Sequence, residues 1–473
     1  MTDSPKKYGH WIAGAWHQPE QGHYPITDPA TEEAAGYAPE GHAAEVWAAD
    51  EAARAAFVEW SGTDPAERGA ILERISSLVE ERADVLVPLL RAESGATTPV
   101  AKAVLAAAAD TFRHSARTAL EPDTVPFPPR LSDGVLVNAA ALRRPVGVVA
   151  CLTSDNFPVT TLAGLIAPAL AAGNTVVAKP SAQDPLAFLA LGPITKEAGL
   201  PDGVFNIVAG SGPITGEALV AHYYTDMISF TGSAAMGKRI AVAGGEQLKP
   251  ALLDVGGKGT VIVLQDADAK NVDSAVTVAA SAFFRHSGQD RTAPARLLVH
   301  RSLYDKALAA LTERARAAKI GGPGDDATTV GPLLSITERD RVEAYIEDAK
   351  RQGARIAAGG ERPDLKPGAY AAPTVLADVT PDMTAAQEEI RGPVVVVMPF
   401  DDEDEAIRIS TGTSFSRHDH VFSADTARAW QLAARLRSFM VSVNTAERHP
   451  EVCFGGSLRI PEYSTCGSVV WPS

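Results

Sequence analysis

The sequence predicts an α/β protein made of two doubly wound, Rossmann-like parallel sheets, and three observations lead there. Short apolar runs alternate with helical ones along most of the chain, the βαβ order that yields a parallel sheet covered on both faces. The runs fall into two series separated by "LLDVGGKG", where Gly256, Gly257 and Gly259 mark a sharply turned junction. At 473 residues, 45% hydrophobic and 21% charged, the chain is long enough for two or three separate cores.

In order, the first series offers the strand candidates "VGVVACL", "NTVVAKP", "VFNIVAG" and "MISFTGS". Between them lie "PVTTLAGLIAPALAAG", "PLAFLALGPITKEAGL" and "TGEALVAHYY", whose length and Ala/Leu content suit crossover helices. The second series starts at "TVIVL" and runs through a helix, "NVDSAVTVAASAFFRHSG", that ends at Gly288. It continues with the strands "RLLVH" from Arg296, "VVVVMPF", "HVFSA" and "FMVSVN".

Composition excludes several classes. The apolar stretch "TLAGLIAPALAAG" is broken by Pro168 and Gly173 and falls short of a bilayer span, and "MTDSPKKYGHW" lacks the apolar segment of a signal peptide. A cytoplasmic location is expected, with no membrane partner. A net charge of -15 without any basic run argues against nucleic acid. Cys151, Cys453 and Cys466 are too few and too scattered for a disulfide framework or a structural zinc site.

Ligand signals are concentrated at strand ends. "FTGSAAMGKRI" puts Gly232 and Ser233 between a strand and a helix start, where free N–H groups and the helix dipole can hold a phosphate, or where Ser233 is simply an N-cap. "GSGPITG" spaces its glycines too widely for a dinucleotide fingerprint. "AKPS" places Lys179 at the carboxyl end of a strand, the side on which open α/β sheets bind ligands. "RHDH" sets His418 and His420 about Asp419 at a spacing that suits a metal, but no third ligand is evident, so a solvated loop is expected and no metal. His286 is either a proton donor or a histidine at the negative end of a helix dipole.

Together "FTGSAAMGK", "LLDVGGKG", "GQDRTAPARLLV", "QEEIRGPVVVV" and "VNTAERHPEVCFGG" resemble, in order and approximate spacing, the signature segments of the aldehyde dehydrogenase superfamily. "WIAGAW", "DPATEEAAGYAPEGHAAEVWAADEAARAAF" and "RRPVGVVACLTSDNFP" extend the resemblance over nearly the whole chain. It implies an aldehyde dehydrogenase-like fold. Residues 1–122 and 144–253 would form a dinucleotide-binding domain and 254–440 a catalytic-type domain, with 123–143 and 441–473 as oligomerisation elements. The hairpin "LSDGVLVNAAALRRP" and the tail "GSVVWPS" would pair subunits into a homodimer or homotetramer.

The same resemblance assigns roles. Asn156 of "SDNFP" matches the family's oxyanion donor, and Asp254 of "LDVGGK" matches its glutamate general base, one methylene shorter. Lys179 matches the lysine on the adenine ribose, Gly232 and Ser233 the phosphate side, and Glu389 the glutamate on the nicotinamide ribose. Where the family reads GQ-x-C-T, this chain reads Gly288, Gln289, Asp290, Arg291, Thr292, so the nucleophilic cysteine has become Arg291. A guanidinium has no lone pair with which to form a thiohemiacetal-like adduct. Asp155, Asp290 and Arg391 map to the same pocket, and so do Cys453 and Phe454 of "CFGG". Arg291 and Arg391 either pair with aspartates inside the protein or clamp an anionic ligand.

Three functions fit these residues. The first is an NAD- or NADP-linked oxidoreductase that exchanges hydride with a polar or anionic small-molecule carbonyl, imine or carbinol without an acyl-enzyme. There Asp254 is acid/base, and Asn156 and Arg291 steady the oxyanion. The others are a nucleotide-binding pseudoenzyme or structural partner, and a non-redox enzyme in a remodelled pocket. Ala182 stands where NAD-selective relatives carry a ribose-binding glutamate, so discrimination against NADP is expected to be weak.

Overall fold

The computed structural model describes residues 5–153, 155, 157–414, 417–446 and 460–472. Its first sheet is assembled from runs that bury both faces. Val148–Thr153 and Thr175–Lys179 are buried at every position, as strands of a parallel sheet covered by helices must be. The spatial order is Ala251–Val255, Thr225–Gly232, Val148–Thr153, Thr175–Lys179, Phe205–Ile207, all parallel. The antiparallel pair His10–Ile12 and Ala15–His17 extends the far edge.

Numbering the five parallel strands by sequence gives the order 5-4-1-2-3. The order therefore reverses between Val148–Thr153 and Thr225–Gly232, and a crevice opens past their carboxyl ends. The helix Pro158–Ala171, twelve of whose residues are buried, makes the first crossover. Helices Ala43–Gly62, Pro65–Glu81 and Thr98–Thr118 flank the same core.

The second sheet runs Arg355–Ala358, Thr374–Ala377, Val394–Phe400, Arg296–His300, Thr260–Val263, His418–Phe422, Met440–Val443, parallel except for the first strand. A buried arginine fastens its centre: the Arg296 guanidinium donates to the carbonyls of Lys258, Ile409 and Ser410 at 2.8 to 3.0 Å. The third sheet is antiparallel, Thr124–Ser132 with Val135–Pro145 and Ser464–Pro472. Its hairpin turns on Asp133 and Gly134, both at positive φ, 48° and 80°, as a two-residue turn matched to strand twist requires. Residues 441–443 stay with the second sheet, so the third takes its tail strand only from Ser464. Among the described residues no helix is long and apolar enough to cross a membrane.

Two expectations are corrected. The helix read as reaching Gly288 ends at Phe284, because His286 and Ser287 are left-handed at φ 49° and 55° and force a separate short turn, His286–Gly288. The "RHDH" segment is not a solvated loop. His418, Asp419 and His420 lie in the buried strand His418–Phe422, where the Asp419 carboxylate accepts from Thr260 N and Oγ1 at 2.7 Å. Among the described residues no group of acidic, His or Cys side chains is arranged to hold a metal ion.

Candidate functional site

Strand ends deliver the site. Lys179 is the last residue of its strand, Asp155 lies just past Thr153, Gly232 ends its strand, and Asp254 is next to last in Ala251–Val255. Ser233 caps the helix Ala234–Glu246, its Oγ accepting from Met236 N at 3.3 Å. This leaves the start of that helix facing the crevice where the strand order reverses. The Lys179 amine is buried and donates to Pro180 O at 2.9 Å. Burial pulls its pKa down to about 8, with Glu40 and Asp184 opposing.

From the second sheet come the "GQDRT" and "EEIRGP" loops, which interlock through glycines. A Cβ on Gly288, at φ 78°, would lie 2.2 Å from the Gly392 backbone, and one on Gly257 would lie 2.0 Å from Arg291 O. Only glycine permits approaches this close. The Gln289 amide ties the loop down, donating to His286 O at 3.0 Å and accepting from Leu334 N at 2.9 Å. Between the two loops remains a cavity of about 10 Å³, lined in part by Arg291, Glu389 and Arg391, roughly the volume needed for a single water.

Arginine–carboxylate pairs occupy the pocket. Arg391 donates through Nη2 to Asp155 Oδ1 at 2.6 Å and lies 3.8 Å from Glu338. Arg291, 6% exposed, approaches Glu389 to 3.8 Å. Arg417 bonds Asp254 Oδ2 at 2.5 Å, and Arg285 meets Asp290 at 2.9 Å. Asp290 also accepts from Thr292 N and Oγ1 at 2.8 and 2.7 Å. Two of these carboxylates respond in opposite directions. Burial pushes Asp155 up, but the Arg391 guanidinium outweighs it and holds that carboxyl below its ordinary range. Glu389 stays raised by burial, although Arg291, Arg391, Lys258 and Arg417 all act against the rise. Burial lowers the pKa of Arg291 itself, against the pull of Glu389.

The structure thus brings together Lys179, Gly232 and Ser233 at one sheet and Asp155, Asp254, Asp290, Arg291, Glu389 and Arg391 at the seam between the sheets. Asn156, Cys453 and Phe454 lie outside the described residues. Cys151 is buried within its strand and Cys466 is exposed in the tail strand. The partners differ from those the sequence suggested. Arg291 approaches a glutamate, Glu389, and also feels Asp155, while Asp254 and Asp290 are taken by two arginines that sequence reasoning missed, Arg417 and Arg285. The signal for Arg417 was an arginine immediately ahead of a buried strand, and the nearby Asp419 is bonded to Thr260. Lys258 was also missed. Its amine is buried without a hydrogen-bond partner, and burial, with Arg296 adding repulsion, lowers its pKa to about 7.

Comparison with known proteins agrees with this geometry. The pattern of the aldehyde dehydrogenase family matches residues 16–458. A betaine aldehyde dehydrogenase of Brucella anthropi is 38% identical over 464 residues, 96% of this chain and 93% of that protein. Among solved structures, the NAD+ complex of the aldehyde dehydrogenase from Bacillus cereus superposes with a TM-score of 0.92 at 33% identity, covering 98% of this chain and 96% of that one. HpcC from Thermus thermophilus superposes with a TM-score of 0.92 at 36% identity, covering 99% and 93%. The fold, the order of the signature segments and these relatives agree, and the chain belongs to the aldehyde dehydrogenase family.

Proposed function

We propose that this chain binds a nicotinamide dinucleotide and exchanges hydride directly with a polar or anionic carbonyl, imine or carbinol, without an acyl-enzyme. The observation that carries this is Arg291. It is buried in the pocket at the position that the family resemblance assigns to the thiol, with Arg391 and Arg417 nearby. A guanidinium cannot attack a carbonyl carbon, but it can hold the negative charge that develops on oxygen. The residues present fit the cofactor. Lys179 and Ser233 stand at strand ends on the crevice side, and Glu389 faces the seam. Relatives solved with NAD+ support the same reading. When bound, the nicotinamide supplies or accepts the hydride.

In this reading residues 1–122 and 144–253 hold the dinucleotide and 254–440 the substrate, with Asn156 and Arg291 on the oxyanion and Asp254 as acid/base. Asp254 can act only if its bond to Arg417 parts. That engagement favours a second reading, a nucleotide-binding protein without turnover. Calorimetry with NAD and NADP, followed by a hydride-transfer assay, separates the two. Binding with transfer supports the first, binding alone the second, and absence of both leaves a non-redox use of the pocket. NADH production from simple aldehydes that survives mutation of Cys453 would refute the absence of acyl-enzyme chemistry.

A further inference from the structure

Building on the dinucleotide-binding reading, on which it rests, we propose that Glu40 bonds the 2′-hydroxyl of the adenine ribose in place of the carboxylate that Ala182 lacks, and thereby selects NAD over NADP.

Two neighbouring strand ends bring Glu40 to Lys179. Thr175–Lys179 and Phe205–Ile207 run parallel, with Ala178 opposite Ile207 and Val208 N donating to Ala178 O at 2.9 Å. Both finish at the same edge of the sheet, one in Lys179 and the other in the loop of residues 208–211. Glu40 reaches that edge from a distant part of the sequence, between the strand Ala34–Pro39 and the helix Ala43–Gly62. Its Oε1 accepts from Ser211 N at 3.0 Å. Backbone packing fixes the approach: a Cβ on Gly41 would lie 2.3 Å from Ala209 O, and one on Gly210 would lie 2.6 Å from Gly41 N.

The turn Gly212–Gly216 completes the link. Thr215 Oγ1 donates to Gly41 O at 2.9 Å, and a Cβ on the next residue, Gly216, would lie 3.6 Å from Lys179 Cδ and 3.7 Å from its Cε. A chain of direct contacts therefore runs from Glu40 through Gly41, Thr215 and Gly216 to the Lys179 side chain. By the family resemblance Lys179 is the residue that meets the adenine ribose, and Glu40 flanks the same place.

Exposure decides which carboxylate a ligand meets there. Burial lowers the pKa of Lys179, and the two carboxylates that oppose the fall are Glu40, the stronger, and Asp184. Asp184 is 0% exposed, whereas Glu40 is half-buried, so Glu40 is the one open to the crevice. Ser211 N holds one of its oxygens, and the other makes no hydrogen bond among the described residues. An ionised carboxylate accepts from the ribose hydroxyl of NAD and repels the 2′-phosphate that replaces it in NADP. Ala182, three residues past Lys179, has no polar side chain with which to do either. Taken alone it implies weak discrimination; Glu40 restores the discrimination from another segment.

The test is calorimetry on the full-length protein with NAD, NADP and the NAD analogue lacking the 2′-hydroxyl of the adenine ribose. The native protein should bind NAD at least about tenfold more tightly than either of the others, a gap of roughly 1.4 kcal/mol. Glu40→Gln keeps the size of the side chain and an oxygen to accept from Ser211 N. It should weaken NAD and strengthen NADP, so that their affinity ratio falls about tenfold or more, and should narrow the gap between NAD and the deoxy analogue. A purely structural role for Glu40 would weaken all three alike and leave both ratios unchanged. That result, or native protein that binds NADP as tightly as NAD, overturns the proposal while leaving the dinucleotide reading intact. If neither dinucleotide binds to the native protein, the dinucleotide reading fails and this proposal with it.

Discussion

Replacing Arg391 with methionine removes the guanidinium that bonds Asp155 at 2.6 Å, in a pair whose side chains are 18% and 12% exposed. Removing one member of a fully buried pair costs about 3–5 kcal/mol, because the remaining charge stays buried without compensation. A surface pair is worth about 0–1 kcal/mol. The residual exposure of this pair places the expected loss at roughly 2–4 kcal/mol at pH 7. The pH dependence identifies the cause. In the native protein the Asp155 carboxyl lies below its ordinary value, so its contribution is present above the unfolded pKa and lost as pH falls through the folded one. Without Arg391, burial is the largest influence left on Asp155, opposed by Arg291 and a backbone hydrogen bond, and its folded pKa is expected to move above the unfolded value. The penalty is then full at neutral pH and is relieved on acidification. Urea denaturation of both proteins, followed at the first transition because a chain of this size need not unfold in one step, should show a gap that narrows from pH 7 towards about pH 4. Asp155→Asn in the Arg391→Met background should recover much of the loss. A gap below about 1 kcal/mol, or one indifferent to pH, would refute the reasoning.

Other outcomes follow from single positions. Lys258 has a folded pKa of about 7 against an ordinary value of 10.5, so the stability it withdraws is nil above the unfolded pKa and grows as pH falls towards the folded one. Lys258→Met should therefore raise the melting temperature more at pH 7 than at pH 10, and equal gains would count against a buried neutral amine. Ala182→Glu should shift preference towards NAD by roughly 1–3 kcal/mol, the worth of a charge-assisted hydrogen bond. Titration with both cofactors checks it, and an unchanged ratio would mean that residue 182 does not face the ribose. The third sheet exposes Val125, Phe127, Leu131 and Val135, and we expect it to join subunits in a dimer or a dimer of dimers. Light scattering that finds a monomer at micromolar concentration would exclude that.

The two series of strands, the junction at Gly256 to Gly259 and the positions of Lys179 and Ser233 are legible in the amino-acid order alone, whereas Glu389 is marked only by the family resemblance. Each of the former is a local signal. An apolar run of strand length, a glycine required by positive φ or close approach, and a residue placed where a strand ends are all written within a few consecutive positions. Pairing at the seam is different, and it is settled by the folded chain. Arg391 and Asp155 are 236 residues apart and Arg417 and Asp254 are 163 apart, so no spacing rule could match them. The choice between ion pairs depends on which groups the folded sheets bury side by side, since a buried charge must find a partner and takes the one within reach. The same holds for His286. Its identity is visible in the sequence, but the left-handed backbone, the contact with Phe157 and the unpartnered Nδ1 arise from two loops locked together by Gly288 and Gly392.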